Sequence, residues 1–411
     1  MAEPLHCRAC DAPLDRTFVD LGASPLSNSF LTAEQLLGPE THWPLRVLVC
    51  ESCLLVQLPA FEPPQAIFDA GYAYFSSFSD SWLAHAQRYA ETMIRTLGLT
   101  RKSRVIEVAS NDGYLLRWFH AAGIPVLGIE PTANTAAAAQ QLGIDTRVAF
   151  FGSVLAKQLQ QEGIAADLMA ANNVLAHVPD LHDFIEGFRI VLAPGGVATF
   201  EFPHLLQLIR QTQFDTIYHE HFSYLTLRVI EPLFARHGLA VHDVEELATH
   251  GGSLRVHASH VAARRPISPR VAALRASEES AGLGRIDGYV GFAAQVERVK
   301  DDLLTFLLQC KRDGKQVVGY GAPAKGNTLL NYCGVRADLL PFTVDRSPHK
   351  QGRFLPGVRI PIHAPSAIER ARPDVVLILP WNLRDEIVEQ MSVVRRFGGR
   401  FAVPIPRFEL L

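Results

Sequence analysis

Strands that recur between helices dominate the middle of this chain and limit its fold more than any other feature. VIEVAS (Val105–Ser110), VLGIEP (Val126–Pro131), DLMAANNVLAHV (Asp167–Val178) and GGVATFEFP (Gly195–Pro203) each read as a strand running into a loop. Helix-compatible stretches such as YLLRWFHAAG and TANTAAAAQQLG separate them. That alternation predicts a doubly wound α/β domain with a mainly parallel sheet. The pattern returns in QVVGYGAP (Gln316–Pro323), PFTVDRSP (Pro341–Pro348) and DVVLILP (Asp374–Pro380). A helix is expected over Ser79–Leu97, and residues 265–300 read as a charged, helical connector. A chain of 411 residues is long enough for two or three domains. The boundaries expected are 1–67, 68–265 and 266–411.

The first domain differs. It is Pro-rich and strand-like and carries Cys7-x-x-Cys10 and Cys50-x-x-Cys53. LRVLVC (Leu45–Cys50) and LLVQL (Leu54–Leu58) read as a hairpin turning at the second pair. Four thiolates satisfy one tetrahedral Zn2+ and leave no position for water, so the metal expected is structural. It would staple a segment too small for a core of its own. Cys310 and Cys333 read as ordinary buried cysteines. With 48% hydrophobic and 20% charged residues the composition is that of a folded protein. A net charge of -3 argues against a general nucleic-acid binder. No apolar run reaches membrane-spanning length, and MAEPLHCRAC has no signal-peptide pattern. A cytoplasmic protein without a membrane partner is expected, as a monomer or weak homo-oligomer.

Candidate site residues gather at strand ends, where ligands bind in open α/β folds. Glu107-Val-Ala-Ser110-Asn111-Asp112-Gly113 follows a strand and opens a helix, with Gly113 permitting a tight turn. Glu130 ends the next strand and can accept hydrogen bonds from both hydroxyls of a ribose. Without a complete G-x-G-x-x-G cradle, that ribose fits S-adenosylmethionine (SAM) better than NAD. Asn172 and Asn173 follow the third strand and either add polar contacts or make a turn. Tyr218-His219-Glu220-His221 is dense in groups suited to acid–base work, and His177 lies near a sheet edge. His219 and His221 would share a face in a strand, so metal ligation and a plain solvated loop are both rivals. Gly321, Lys325 and Asn327 sit in a Gly-rich loop suited to an anion such as a diphosphate.

Taken in order, the paired cysteines, EVASNDGYLL, NNVLAHVPD, FEFPH, YHEHFSYLT and GYGAPAKGNTLLNY resemble the SAM-dependent sugar C-methyltransferases. These carry an N-terminal zinc-binding domain and methylate C3 of nucleotide-linked 4-keto-6-deoxy sugars, TDP-linked ones among them. The resemblance spans almost the whole chain. It implies that Glu107, Ser110, Asn111, Asp112, Gly113 and Glu130 hold SAM. It implies that Tyr72, His177, Tyr218, Glu220 and His221 line the sugar pocket, with Tyr74 beside Tyr72. The expected chemistry is proton removal beside a ketone, with His221 as base, Glu220 orienting it or binding a sugar hydroxyl, and His177 and Tyr218 at the carbonyl. Tyr218 as the base, with His221 at the carbonyl, fits the sequence equally. The rival readings are an O- or N-methyltransferase on a sugar nucleotide, a nucleotide-sugar dehydrogenase using the C-terminal loop, and a non-catalytic scaffold.

Overall fold

The computed structural model describes residues 5–61 and 75–411. Tyr72 and Tyr74 lie outside the described residues.

The N-terminal unit pairs β1 (Thr17–Ser24), β2 (Trp43–Val49) and β3 (Val56–Gln57) as an antiparallel sheet. The hairpin expected at the second cysteine pair is present, with Val49 opposite Val56, but β3 is only two residues long. The central unit supplies β4 (Val105–Val108), β5 (Val126–Glu130), β6 (Thr146–Val148), β7 (Ala166–Asn172), β8 (Leu192–Pro203), β9 (Ser223–Tyr224), β10 (Leu239–Leu247) and β11 (Ser253–His260). Seven of these form one sheet in the order β10-β11-β8-β7-β4-β5-β6. Only β11 runs against its neighbours. All four residues of β4, Glu107 among them, are buried, as in a strand covered on both faces. The order reverses between β4 and β7, which opens a crevice at their carboxyl ends. The remaining strand, β9, leaves the central unit and joins the N-terminal sheet, with Val56 opposite Tyr224.

The third unit holds β12 (Val317–Tyr320), β13 (Thr343–Val344), β14 (Ile362–His363), β15 (Val375–Ile378), β16 (Arg400–Val403) and β17 (Glu409–Leu410). Its sheet order is β14-β13-β12-β15-β16-β17, parallel except for β17. The helix Phe292–Arg312 leads into it. Phe292, Val296, Val299, Leu303, Leu307 and Cys310 recur every three or four residues and form its buried stripe. Phe292 stacks on Phe18 of β1 at 4.7 Å, so the N-terminal and C-terminal units share one continuous core.

Helix Asp80–Leu97 shows how local signals aim a side chain at the crevice. Ser79 accepts a hydrogen bond from the Trp82 amide, and Gly98 closes the far end in the left-handed conformation. The buried stripe Trp82, Ala86, Tyr89, Ala90 and Met93 then fixes the helix against the sheet, with Trp82 at its crevice end.

Candidate active site

A cavity of about 580 Å³ opens at the carboxyl ends of β4, β5 and β7 and continues to where all three units meet. One end belongs to the central sheet. After β4 the chain turns sharply: Ala109, Asn111 and Gly113 all have positive φ, at 54°, 50° and 77°. Gly113 has a second reason to be glycine, since a Cβ there would lie 2.4 Å from Ile144. The Asn111 amide donates to Glu130 Oε2 at 2.8 Å, and the Thr132 amide donates to Oε1 at 2.9 Å. These bonds hold the Glu130 carboxylate at the cavity wall with lone pairs to spare. The side-chain oxygens of Asn172 and Asn173 are buried at the same wall without a hydrogen-bond partner. Two orphaned acceptors, a fixed carboxylate and the apolar walls of Ile129 and Phe150 fit the ammonium, ribose and adenine of SAM.

The other end is built by residues 216–224. Several elements hold this segment. The Phe222 amide donates to the Ala176 carbonyl at 2.8 Å, and the Leu58 amide donates to the Phe222 carbonyl at 3.0 Å. Thr328 Oγ1 donates to the Ile217 carbonyl at 3.0 Å. His221 Nδ1 lies 2.7 Å from the Thr216 carbonyl oxygen. A carbonyl only accepts, so Nδ1 carries the proton and Nε2 keeps its lone pair. Burial holds His221 well below the usual imidazole range, and burial pushes His177 down to about 4. Their rings meet edge to face at 4.6 Å, and the Tyr218 ring lies 4.0 Å from that of His221. Glu220 is buried, which pushes its carboxyl up to about 7 against the opposing hydrogen bond from Asn28. Asn28 Nδ2 donates to Glu220 Oε1 at 2.7 Å.

One rival reading and one expectation change here. Residues 218–222 form a turn rather than a strand, so His219 and His221 part company. His219 Nε2 packs 3.3 Å from the carbonyls of Trp43 and Pro44 and does not line the cavity. The group that orients His221 is the Thr216 carbonyl and not Glu220, whose partner is Asn28.

Among the SAM-loop residues, Asn111 and Glu130 reach the cavity, while Glu107, Ser110, Asp112 and Gly113 lie behind the wall. Glu107 is fully buried, and burial raises its carboxyl, which the neighbouring Tyr114 phenol partly offsets. Asp112 accepts the Ser77 amide at 3.1 Å and so braces the turn before helix Asp80–Leu97. In the C-terminal loop Lys325 lines the cavity, but Gly321 and Asn327 do not. Asn327 is wholly enclosed, and Gly321 packs where a Cβ would lie 2.5 Å from Pro380. Sequence reasoning missed Asn28, Trp82, Thr216, His250, Lys350 and Asn382, all of which line the cavity.

The four cysteine sulfurs lie within 4.8 Å of one another and are the one such cluster among the described residues. Cys7–Cys53 and Cys10–Cys50 approach to 3.4 and 3.5 Å. A tetrahedron of sulfurs about 2.3 Å from zinc has edges of about 3.8 Å, so the set fits Zn2+. Asp11 and Leu54, each just after a pair, take matching left-handed turns with φ of 64° and 65°. Arg8, inside the first pair, donates to the Leu58 carbonyl at 2.5 Å and lies over the Phe222 ring at 5.4 Å. The metal knuckle therefore touches the residue next to His221.

Comparison with known proteins agrees with this arrangement. Residues 7–68 match a zinc binding domain model, 82–244 a methyltransferase domain, and 248–406 the C-methyltransferase C-terminal domain. Over 401 residues the chain is 38% identical to the C-methyltransferase NovU of Streptomyces niveus, covering 98% of this chain and 95% of the relative. The chain belongs to the C-methyltransferase family. The enzyme is SAM-dependent, and its N-terminal domain matches a zinc-binding domain in which Cys7, Cys10, Cys50 and Cys53 cluster. Solved structures similar to part of this C-methyltransferase include a SAM-dependent methyltransferase from Mesorhizobium loti, with 18% identity, 43% of this chain, 99% of that one and a TM-score of 0.34. Another is the magnesium protoporphyrin IX methyltransferase of Synechocystis PCC 6803 with bound SAM, with 16% identity, 48% and 88% coverage and a TM-score of 0.34. In this methyltransferase no helix among the described residues is long and apolar enough to cross a membrane.

Proposed function

We propose that the enzyme methylates C3 of a nucleotide-linked 4-keto-6-deoxy sugar, with TDP as the nucleotide, through an enolate. The observation that carries this reading is the His221 tautomer, which leaves Nε2 without a proton on a ring that lines the acceptor end of the cavity. A carbon acid next to a ketone needs a neutral base within hydrogen-bond reach. SAM, when bound, supplies an electrophilic methyl group on a sulfonium. His221 Nε2 takes the C3 proton, and the Thr216 carbonyl stabilises the imidazolium that results. Glu220, fixed by Asn28, accepts a hydrogen bond from a sugar hydroxyl and sets the ring's orientation. His177 and Tyr218 close around the carbonyl, and Glu130 with Asn111 positions the methyl donor. A carbon nucleophile of this kind fits the C-methyltransferase relatives, and a ketone distinguishes it from a hydroxyl or amine acceptor.

The test has two arms. Thermal shift with S-adenosylhomocysteine, alone and with TDP, UDP, GDP or CDP, reads which nucleotide raises stability by mass action. Turnover is then measured with the matching 4-keto sugar. A shift that TDP alone enlarges, followed by C3 methylation, is the expected result. In His221→Asn, kcat falls by about 10²–10⁴-fold while S-adenosylhomocysteine binding is retained. Undiminished kcat in that variant removes His221 as the base.

A further inference from the structure

Lys325 brings a buried amine to the acceptor end of the cavity. It lies at the start of helix Ala324–Cys333 in the C-terminal unit and lines the cavity. Two lysines line that cavity. Lys350 donates to the Ala322 carbonyl at 2.9 Å and lies 3.6 Å from Asp345. Lys325 Nζ is 3.2 Å from the His250 carbonyl, 3.4 Å from Asn382 Oδ1 and 5.0 Å from the centre of the Trp381 ring. An ammonium has three donors, and these two oxygens account for two.

Burial lowers the Lys325 ammonium from the ordinary lysine value, and the charge of Asp215 opposes that fall. Asp215 is completely buried, takes the Trp381 indole N–H at 2.7 Å, and acts on Lys325 through its charge. Trp381 thus lies between the carboxylate and the ammonium and is bound to both. Lys325 also acts electrostatically on His221, which places the two around the same space. The imidazoles at this end, His177, His221 and His250, are all depressed by burial and therefore neutral near pH 7. When a neutral base removes a proton beside a ketone, the C–H electron pair becomes the enolate π bond and negative charge moves to the carbonyl oxygen. That oxygen is two bonds from the carbon that lost the proton, so its stabilising group must sit close to the base. A cation with a free donor stabilises it best.

We infer that Lys325 is a catalytic residue that gives its third N–H to the developing enolate oxygen, and that Asp215 and Trp381 position it. This rests on the enolate reading above. It gives Lys325 a role other than the diphosphate contact expected from the sequence.

The experiment uses the full-length zinc enzyme with the 4-keto sugar nucleotide that the thermal-shift panel selects. Methyl transfer gives kcat and KM. Solvent-deuterium entry at the carbon beside the ketone, with S-adenosylhomocysteine in place of SAM, reads enolate formation alone. In Lys325→Met, kcat and the exchange rate both fall by about 10²–10³-fold. KM stays within a few-fold, and S-adenosylhomocysteine affinity is unchanged. Lys325→Gln, which keeps a donor without the charge, loses less and supplies the answer if the methionine variant does not fold. If Lys325→Met keeps its exchange rate, or loses only KM, Lys325 is a binding cation and the inference falls. If the wild-type enzyme methylates without any exchange, the enolate reading itself falls and takes this role with it.

Discussion

Replacing Asn28 with alanine isolates what the zinc domain contributes to the acceptor pocket. Asn28 donates to Glu220 Oε1 at 2.7 Å and favours the ionised carboxylate, whereas burial opposes it and sets the group at about 7. A hydrogen bond to a charged group is worth about 1.5–3 kcal/mol. Asn28 is open to solvent, so the lower end applies, because water replaces part of the bond in the variant. About 1.5 kcal/mol corresponds to about one pKa unit. Glu220 should then rise to roughly 8, and the ionised fraction at pH 7 should fall about fivefold. The sign follows directly. Removing a donor raises the carboxyl, so the acid limb of kcat/KM moves to higher pH and activity recovers near pH 9. The assay is a pH–rate profile from 5.5 to 9.5 for the wild type, Asn28→Ala and Glu220→Gln. His177, His221, Lys325, Lys350 and Tyr218 line the same pocket, and Glu220→Gln identifies which limb belongs to Glu220. An acid limb that does not move in Asn28→Ala, or a profile unchanged in Glu220→Gln, refutes the reasoning.

Two further outcomes follow from the geometry. Glu130→Ala removes the carboxylate expected to accept from the ribose hydroxyls, so the Kd of S-adenosylhomocysteine, read by calorimetry, should rise about 10–100-fold. Zinc removal by chelator, or Cys50→Ser, should release the knuckle that Arg8 uses to hold Leu58 and Phe222, so methyl transfer falls at least tenfold with loss of the bound metal. S-adenosylhomocysteine binding should survive, because its end of the cavity is built on β4, β5 and β7.

The strand ends were legible because buried parallel strands announce themselves as short apolar runs, and the crevice at their carboxyl ends follows from topology. Glu130, Asn172 and Asn173 reach the cavity for that reason. The YHEH segment stood out by composition, but composition does not say which way each ring points. His219 turned away because the segment is a turn, and a shared face would hold only in a strand. Glu107 looked like a ligand residue, yet it ends inside the wall with Tyr114, since the loop after it carries the contact surface. Asn28, His250 and Lys350 are contributed by separate loops brought together only by tertiary packing, and nothing near them in sequence marks them. Thr216 acts through its backbone carbonyl, a group every residue has.

The two-residue strand β9 carries a consequence for how the chain is made. The zinc unit leaves the ribosome first, but the outer edge of β3 must wait about 170 residues for Ser223 and Tyr224. Until then it presents an unpaired backbone edge beside the apolar residues Leu54, Leu55 and Leu58. An N-terminal fragment released early would therefore bind its metal and still self-associate through that edge. The unit becomes a finished domain only when the segment carrying His221 arrives, so completion of the N-terminal sheet and placement of that turn are a single event during synthesis.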